Sequence, residues 1–186
     1  MKKNYLFFAV VGLFSSSIFA HNITLNHSLP TVSVQNDGEI VMKGNKIAYQ
    51  PWSSTKLAGK VRVIQHIAGR SSAKEKNEGL IEAIRKANFD RAKYQTTTIV
   101  NADDAIIATG SFVKSSAEDG KRKNSHSQVI LDQASNVKDK WQLKAKDSAI
   151  IVLDKNSKVQ FVSEGKLSPS QINQIITLVN HLITEG

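Results

Sequence analysis

No cysteine occurs anywhere in the 186 residues. That excludes disulfides, an acylated lipoprotein anchor, thiol–disulfide exchange and thiol peroxidase chemistry, since both reactions need a thiolate nucleophile. No segment reaches the roughly 20 consecutive apolar residues of a transmembrane helix. Acidic residues are the minority charge, 16 against 25 Lys and Arg, and aromatic residues are sparse at 6%. The densest basic run, Lys121-Arg122-Lys123, therefore lacks the interleaved aromatics and reading motif of a nucleic-acid patch. It reads as a solvated surface loop, or else as a contact for an anionic partner.

What is present begins with an export signal. Lys2 and Lys3 precede an apolar stretch from Tyr5 to Phe14 and a Ser-rich approach to Ile18-Phe19-Ala20. These are the three zones of a cleaved secretory signal peptide, with the cut expected after Ala20, leaving residues 21–186 as one periplasmic domain. Removing those two lysines leaves 23 basic residues against 16 acidic, a net charge of +7. For an exported protein of that sign, an acidic envelope protein or an anionic envelope component is the expected partner, and nucleic acid is not. Without disulfides the hydrophobic core alone must hold the domain.

Val32 and Val34 alternate with polar residues before Asn36-Asp37-Gly38, and Ile40 and Met42 after it, which predicts a β-hairpin turning at 36–38. A second hairpin through Gly44-Asn45 would end at Pro51-Trp52. Val61, Val63, Ile64 and Ile67 form the dense run of a central strand covered on both faces. Ser72 and Glu75 have capping-box spacing, and Leu80, Ile81, Ile84 and Ala87 continue as a helical stripe. The β-branched segment Tyr94–Asn101 predicts the next strand, parallel to the first through a right-handed crossover. Ala105 to Val113 is expected as a short helix weakened by Gly110, and 118–127 as an exposed loop.

Further strands are expected at 129–131, 149–153 and 159–162, and a short helix or turn at 137–143. Ser168, Pro169 and Gln171 open a terminal helix whose stripe runs from Ile172 to Ile183.

This order of elements, with three local segments, resembles a thioredoxin-like domain. GKVRVIQHIAGRSSAK at 59–74 is similar to the segment carrying the redox centre, with Ser71 and Lys74 where the two cysteines would stand. SQVILDQASNVKDKWQL at 127–143 resembles the strand–Asp–helix segment of the peroxiredoxin-related branch. DSAIIVLDKNSKVQFVSEGKLSPSQINQII at 147–176 resembles its last hairpin and helix. The whole is closest to the YtfJ family of periplasmic proteins. The resemblance implies an α/β fold, a central mixed sheet flanked by helices with an N-terminal β-hairpin. It also places Ser148 where the cis-proline beside the redox site would lie, although serine holds a cis peptide only at about 2.5–4 kcal/mol.

With the nucleophile gone, no catalytic residue and no cofactor are assigned. The expected function is non-catalytic recognition through the former active-site groove, by Arg70, Ser71, Lys74 and Ser148. An enzyme with a non-thiol nucleophile or a metal is the alternative. Ser71 and Lys74 do have the S-x-x-K spacing by which some acyl transferases activate serine, but a capped helix with an exposed lysine explains them. His21, amino-terminal after cleavage, and His27 are candidates for copper. His66, inside the central strand, is expected as a hydrogen-bonded structural histidine.

Overall fold

The computed structural model describes residues 21–185; the leader expected at 1–20 lies outside them. The strands are β1 (Ser33–Lys43), β2 (Lys46–Ser53), β3 (Val61–Ala68), β4 (Tyr94–Asn101), β5 (Gln128–Asp132), β6 (Ser148–Leu153) and β7 (Val159–Glu164). The helices among the described residues are α1 (Ser71–Glu75), α2 (Glu78–Ala87), α3 (Gly110–Lys123), α4 (Asn136–Trp141) and α5 (Pro169–Glu185). One seven-stranded mixed sheet runs in the order β2-β1-β5-β4-β3-β6-β7. Its centre, β3, β4 and β5, is parallel.

β3 is central because it pairs on both edges, with β4 and antiparallel with β6. Alternate residues therefore bury against different layers. Ile64 joins Ile99, Ile130, Ile151, Trp52 and Trp141 on one face. Val61 and Val63 join Leu80, Ile150, Val152, Ile175 and Val179 under α2 and α5 on the other. A third cluster, around Ile40, Ile67, Val100 and Leu131, is covered by Ala117 and Val113 of α3. Residues just after the expected leader are tied in as well: Ile23 is buried, and the main-chain N–H groups of Asn22 and Asn26 donate to the carbonyls of Trp141 and Val159.

The terminal helix starts as its sequence requires. The Ser168 N–H donates to Gln171 Oε1 at 2.9 Å, and the Gln171 N–H donates back to Ser168 Oγ at 3.2 Å. Elsewhere local signals mislead. Asn36-Asp37-Gly38 is not a hairpin tip but an irregularity inside the single long strand β1, where the pairing with β2 slips between Val34 and Glu39. Asp37 and Gly38 do take positive φ, 59° and 72°, yet the strand carries on because Asp37–Ile40 pair with β5. A Cβ at position 38 would collide with the Gln50 carbonyl, so glycine is needed here for close approach as well as for φ. The turn is at Gly44-Asn45, between the paired Lys43 and Lys46.

The expected loop at 118–127 is mostly helix. α3 runs to Lys123 because Val113, Ala117 and the stem of Lys121 face the sheet. Glu118 and Asp119 pair with Arg122 one turn on, and the basic end suits the helix C-terminus. The basic run is accordingly no open patch. Lys121 Nζ donates inward to the carbonyls of Ser125 and Ser127, and Arg122 is spent on its own helix.

Candidate functional site

The carboxyl ends of β3, β4 and β5 come together at one edge, the place where open α/β sheets build sites. β3 leads into Arg70 and α1, β4 into a 3-10 turn at Ala102–Asp104, and β5 into α4. Asp132, fully buried at the end of β5, starts α4 by accepting from the Val137 N–H at 2.8 Å, Asn136 Nδ2 at 2.9 Å and the Ala134 N–H at 3.2 Å. This fits the strand–Asp–helix pattern at 127–143. Asn101, also fully buried, donates from Nδ2 to Asp104 Oδ2 and to Ser135 Oγ, both at 3.1 Å. Ser135 donates to Asp103 Oδ2 at 2.7 Å, and Asp104 Oδ2 also accepts from the Lys146 main-chain N–H at 3.0 Å.

His66 sits at the same end of the same face. It is 1% exposed, and its Nε2 has no hydrogen-bond partner among the described residues. The expected hydrogen-bonded histidine is thus buried but incomplete. Burial pushes its pKa down to about 4, against the pull of Asp132 and Asp104. At neutral pH the ring is uncharged.

A second buried network stands beside α1. Asn77 separates α1 from α2, accepts from Ser148 Oγ at 2.6 Å and donates to Gln65 Oε1 at 3.3 Å. Asp147 accepts from Lys76 at 2.5 Å, Lys144 at 3.0 Å and the Ser148 N–H at 2.8 Å. Burial alone would raise the pKa of Asp147; these hydrogen bonds and the Lys76 charge outweigh it, and the net direction is down.

Against this frame the four groove residues separate. Arg70 is half-buried and donates from Nε to the Asp104 carbonyl at 2.7 Å. Ser71 and Lys74 are exposed, with no hydrogen bond from either side chain among the described residues. Ser148 is a correction: it is 2% exposed, its hydroxyl is spent on Asn77, and it supports the site from beneath instead of lining it. No cis peptide bond occurs among the described residues. The capping box of Ser72 and Glu75 is also absent. Helix α1 begins two residues earlier, with Arg70 and not Ser72 at the N-cap and no side-chain cap bond.

The histidines considered for copper are engaged locally. His21 Nδ1 accepts from the Ile23 N–H at 3.4 Å and His27 Nδ1 meets the Leu25 carbonyl at 2.9 Å. No group of three His, Asp or Glu side chains suited to a metal occurs among the described residues.

Sequence reasoning missed the buried frame: Asn77, Asn101, Asp104, Ser135 and Asp147. It also missed Arg62, which is 5% exposed at the other end of β3. The available signal was a charged residue flanked by Val61, Val63 and Ile64 in a buried strand, since a buried charge must find partners.

The family model described as "Bacterial protein of unknown function (YtfJ_HI0045)" matches residues 23–182. The chain belongs to this family. It is 57% identical over 182 residues to an uncharacterized protein of Haemophilus influenzae, covering 98% of this chain and 99% of the relative. It is 44% identical over 164 residues to the uncharacterized protein YtfJ of Escherichia coli K12, covering 88% and 89%. Among solved structures it is similar to a thiol-disulfide isomerase from Corynebacterium glutamicum, with a TM-score of 0.55 at 17% identity over 89% of this chain and 99% of the other. At that identity the likeness shows the fold alone, which is thioredoxin-like.

Proposed function

We propose that this family member is an exported envelope protein that binds a partner through the face where its thiol-dependent structural neighbours carry out exchange. The observation that supports this most directly is the contrast at α1. Ser71 and Lys74 are exposed and unspent, while Asn77, Ser148 and Asp147 are buried and hydrogen-bonded, with half-buried Lys76 held on Asp147. A rigid frame that presents open polar side chains is what recognition requires. With no cysteine in the chain, exchange itself has no nucleophile.

The test is in-cell photocrosslinking from position 71, with Asn156 in the exposed turn before β7 as the control. A defined adduct from 71 and none from 156 is the expected result; the same adducts from both would sink the reading. Cell fractionation, with the N-terminus of the purified protein read by mass spectrometry, tests export and the cut after Ala20. A full-length, cytoplasmic product would reopen a regulatory role inside the cell.

A further inference from the structure

Beside Arg70 the chain puts apolar side chains into water. Ile107 is 95% exposed, Phe112 75% and Ile106 57%. Single exposed apolar residues need no explanation, but three within seven residues are more than scattered singles. The turn that carries them is closed and not loose. Thr109 donates to the Ile106 carbonyl from its N–H at 2.9 Å and from Oγ1 at 2.6 Å. Ala108 is held at φ 68°, a left-handed conformation that a non-glycine residue seldom takes. The base of the turn is packed hard against the site, for a Cβ built on Gly69 would lie 3.3 Å from Ala105 Cβ and 3.2 Å from Val113 Cγ1.

Two basic residues meet Asp104, just before that base. Arg70 reaches Asp104 from one side through Nε, and Lys146 meets the same residue from the other through its main-chain N–H. Lys74 lies one turn along α1. None of these three has an ion pair among the described residues, in contrast to Lys76, Lys138 and Lys144, which are paired with Asp147, Asp104 and Asp147. The acidic groups near the base are Asp104, buried within the frame, and Asp103, which accepts from Ser135; Glu75 is exposed on α1.

We infer that this apolar tip with its cationic base, Ile106, Ile107 and Phe112 above Arg70 and Lys146, docks the protein on an anionic lipid surface. Charge complementarity decides the occupant. A second copy would set like charges against one another on a chain whose residues 21–186 carry a net +7, whereas an anionic bilayer attracts each nearby cation and accepts a projecting aliphatic or aromatic side chain at its headgroup boundary. The inference shares Arg70 and its face with the recognition reading above, but Ile106, Ile107 and Phe112 belong to it alone, so either can fail while the other stands.

The experiment is vesicle flotation of protein purified from cells expressing the full chain, its N-terminus read by mass spectrometry so that every variant is compared in the same form. Vesicles of phosphatidylglycerol and phosphatidylethanolamine should bind it at least about tenfold better than vesicles of phosphatidylcholine, and the preference should fade with added salt. Ile107→Asp should weaken binding by about tenfold or more. Arg70→Gln and Lys146→Gln should each weaken it about fivefold, and Lys123→Gln, at the far end of α3, should leave it nearly unchanged.

No binding to phosphatidylglycerol vesicles would overturn the inference. So would binding that Ile107→Asp leaves intact, or equal losses from Lys123→Gln and Arg70→Gln. A protein crosslinked from position 107 in cells, without vesicle binding in vitro, would place the tip in a protein pocket and overturn it as well.

Discussion

At one end of the Trp-lined face of the sheet, a buried arginine is bonded through all three of its nitrogens; at the other end, a buried histidine has none of its bonds at Nε2. Both side chains come from β3, four residues apart, with Ile64 between them. Arg62 donates from Nε to the Leu57 carbonyl at 2.5 Å and from Nη2 to the Lys56 carbonyl at 3.2 Å. Nη1 reaches Gln95, Thr97 and Gln128 at 2.6, 3.1 and 3.1 Å. One guanidinium thus ties the segment before β3 to β4 and β5. Burial draws its pKa down, and the charge of Glu39 opposes that. The two ends show that the same strand can complete a buried charge and leave another group neutral and unfinished beneath the proposed binding face.

Removing the complete end should have the largest effect. Arg62→Leu keeps much of the volume but leaves two carbonyls and three polar side chains without their donor. A loss of about 3–5 kcal/mol is expected, in the range of a broken buried hydrogen-bond network that leaves several acceptors unpaired. Urea unfolding measures it; a loss under about 1 kcal/mol would mean that the network contributes geometry without stability.

The unfinished end should declare itself through pH. His66 titrates near 6.5 when unfolded and at about 4 when folded. Between those values the unfolded state binds more protons, so stability rises with pH. The contribution is fully present above about pH 6.5 and is lost as pH falls toward 4, a change of about 3 kcal/mol. His66→Phe should stay within about 1 kcal/mol of the parent at pH 7.5, since Nε2 has no partner to lose, and should flatten the stability curve across that window. Asp37 and Asp147 also have lowered values, but their carboxylates act in a separate window below about pH 4. Parallel curves for parent and variant between pH 4 and 6.5 would remove His66 from the account.

A third change tests whether the frame under α1 resembles the arginine end. Asn77→Ala strands the buried Ser148 hydroxyl and should cost about 1–3 kcal/mol. Adding Ser148→Ala should recover part of the loss, because removing both partners of a buried bond leaves nothing unpaired. Full additivity of the two changes would show that the 2.6 Å bond between them carries no coupling.

The comparison also explains what could be read in advance. The dense run of β3, the β-branched run of β4 and the Ser168–Gln171 box were legible because each is a local pattern with a local cause. Asn36-Asp37-Gly38 misled because a hairpin and a strand irregularity ask the same φ of Asp and Gly; only pairing with β5 decides between them. Helix α3 was obscured by Gly110 and Gly120, whose cost is repaid by tertiary burial of Ala117 and the Lys121 stem. At the site, Ser71 and Lys74 could be placed from a contiguous segment. Their frame could not. Asn101 and Ser135 are 34 residues apart, Asn77 and Ser148 are 71 apart, and no periodicity in the sequence joins them.

The smallest expected effect is at Ser71 itself, and it is the most discriminating. An exposed hydroxyl that neither caps α1 nor meets another described side chain contributes little to folding, so Ser71→Ala should change stability by no more than about 0.5 kcal/mol. Had the capping box formed, the loss at the capping serine, Ser72, would be about 1 kcal/mol, so Ser72→Ala serves as the companion measurement and should be equally silent. A silent Ser71→Ala that also abolishes the crosslinked adduct, tested with the photoreactive group moved to position 74, would assign the hydroxyl to recognition. A silent substitution that leaves the adduct in place would shift the recognition to Arg70. A clear loss of stability would instead put Ser71 with Arg62, among the residues whose polar groups finish the fold.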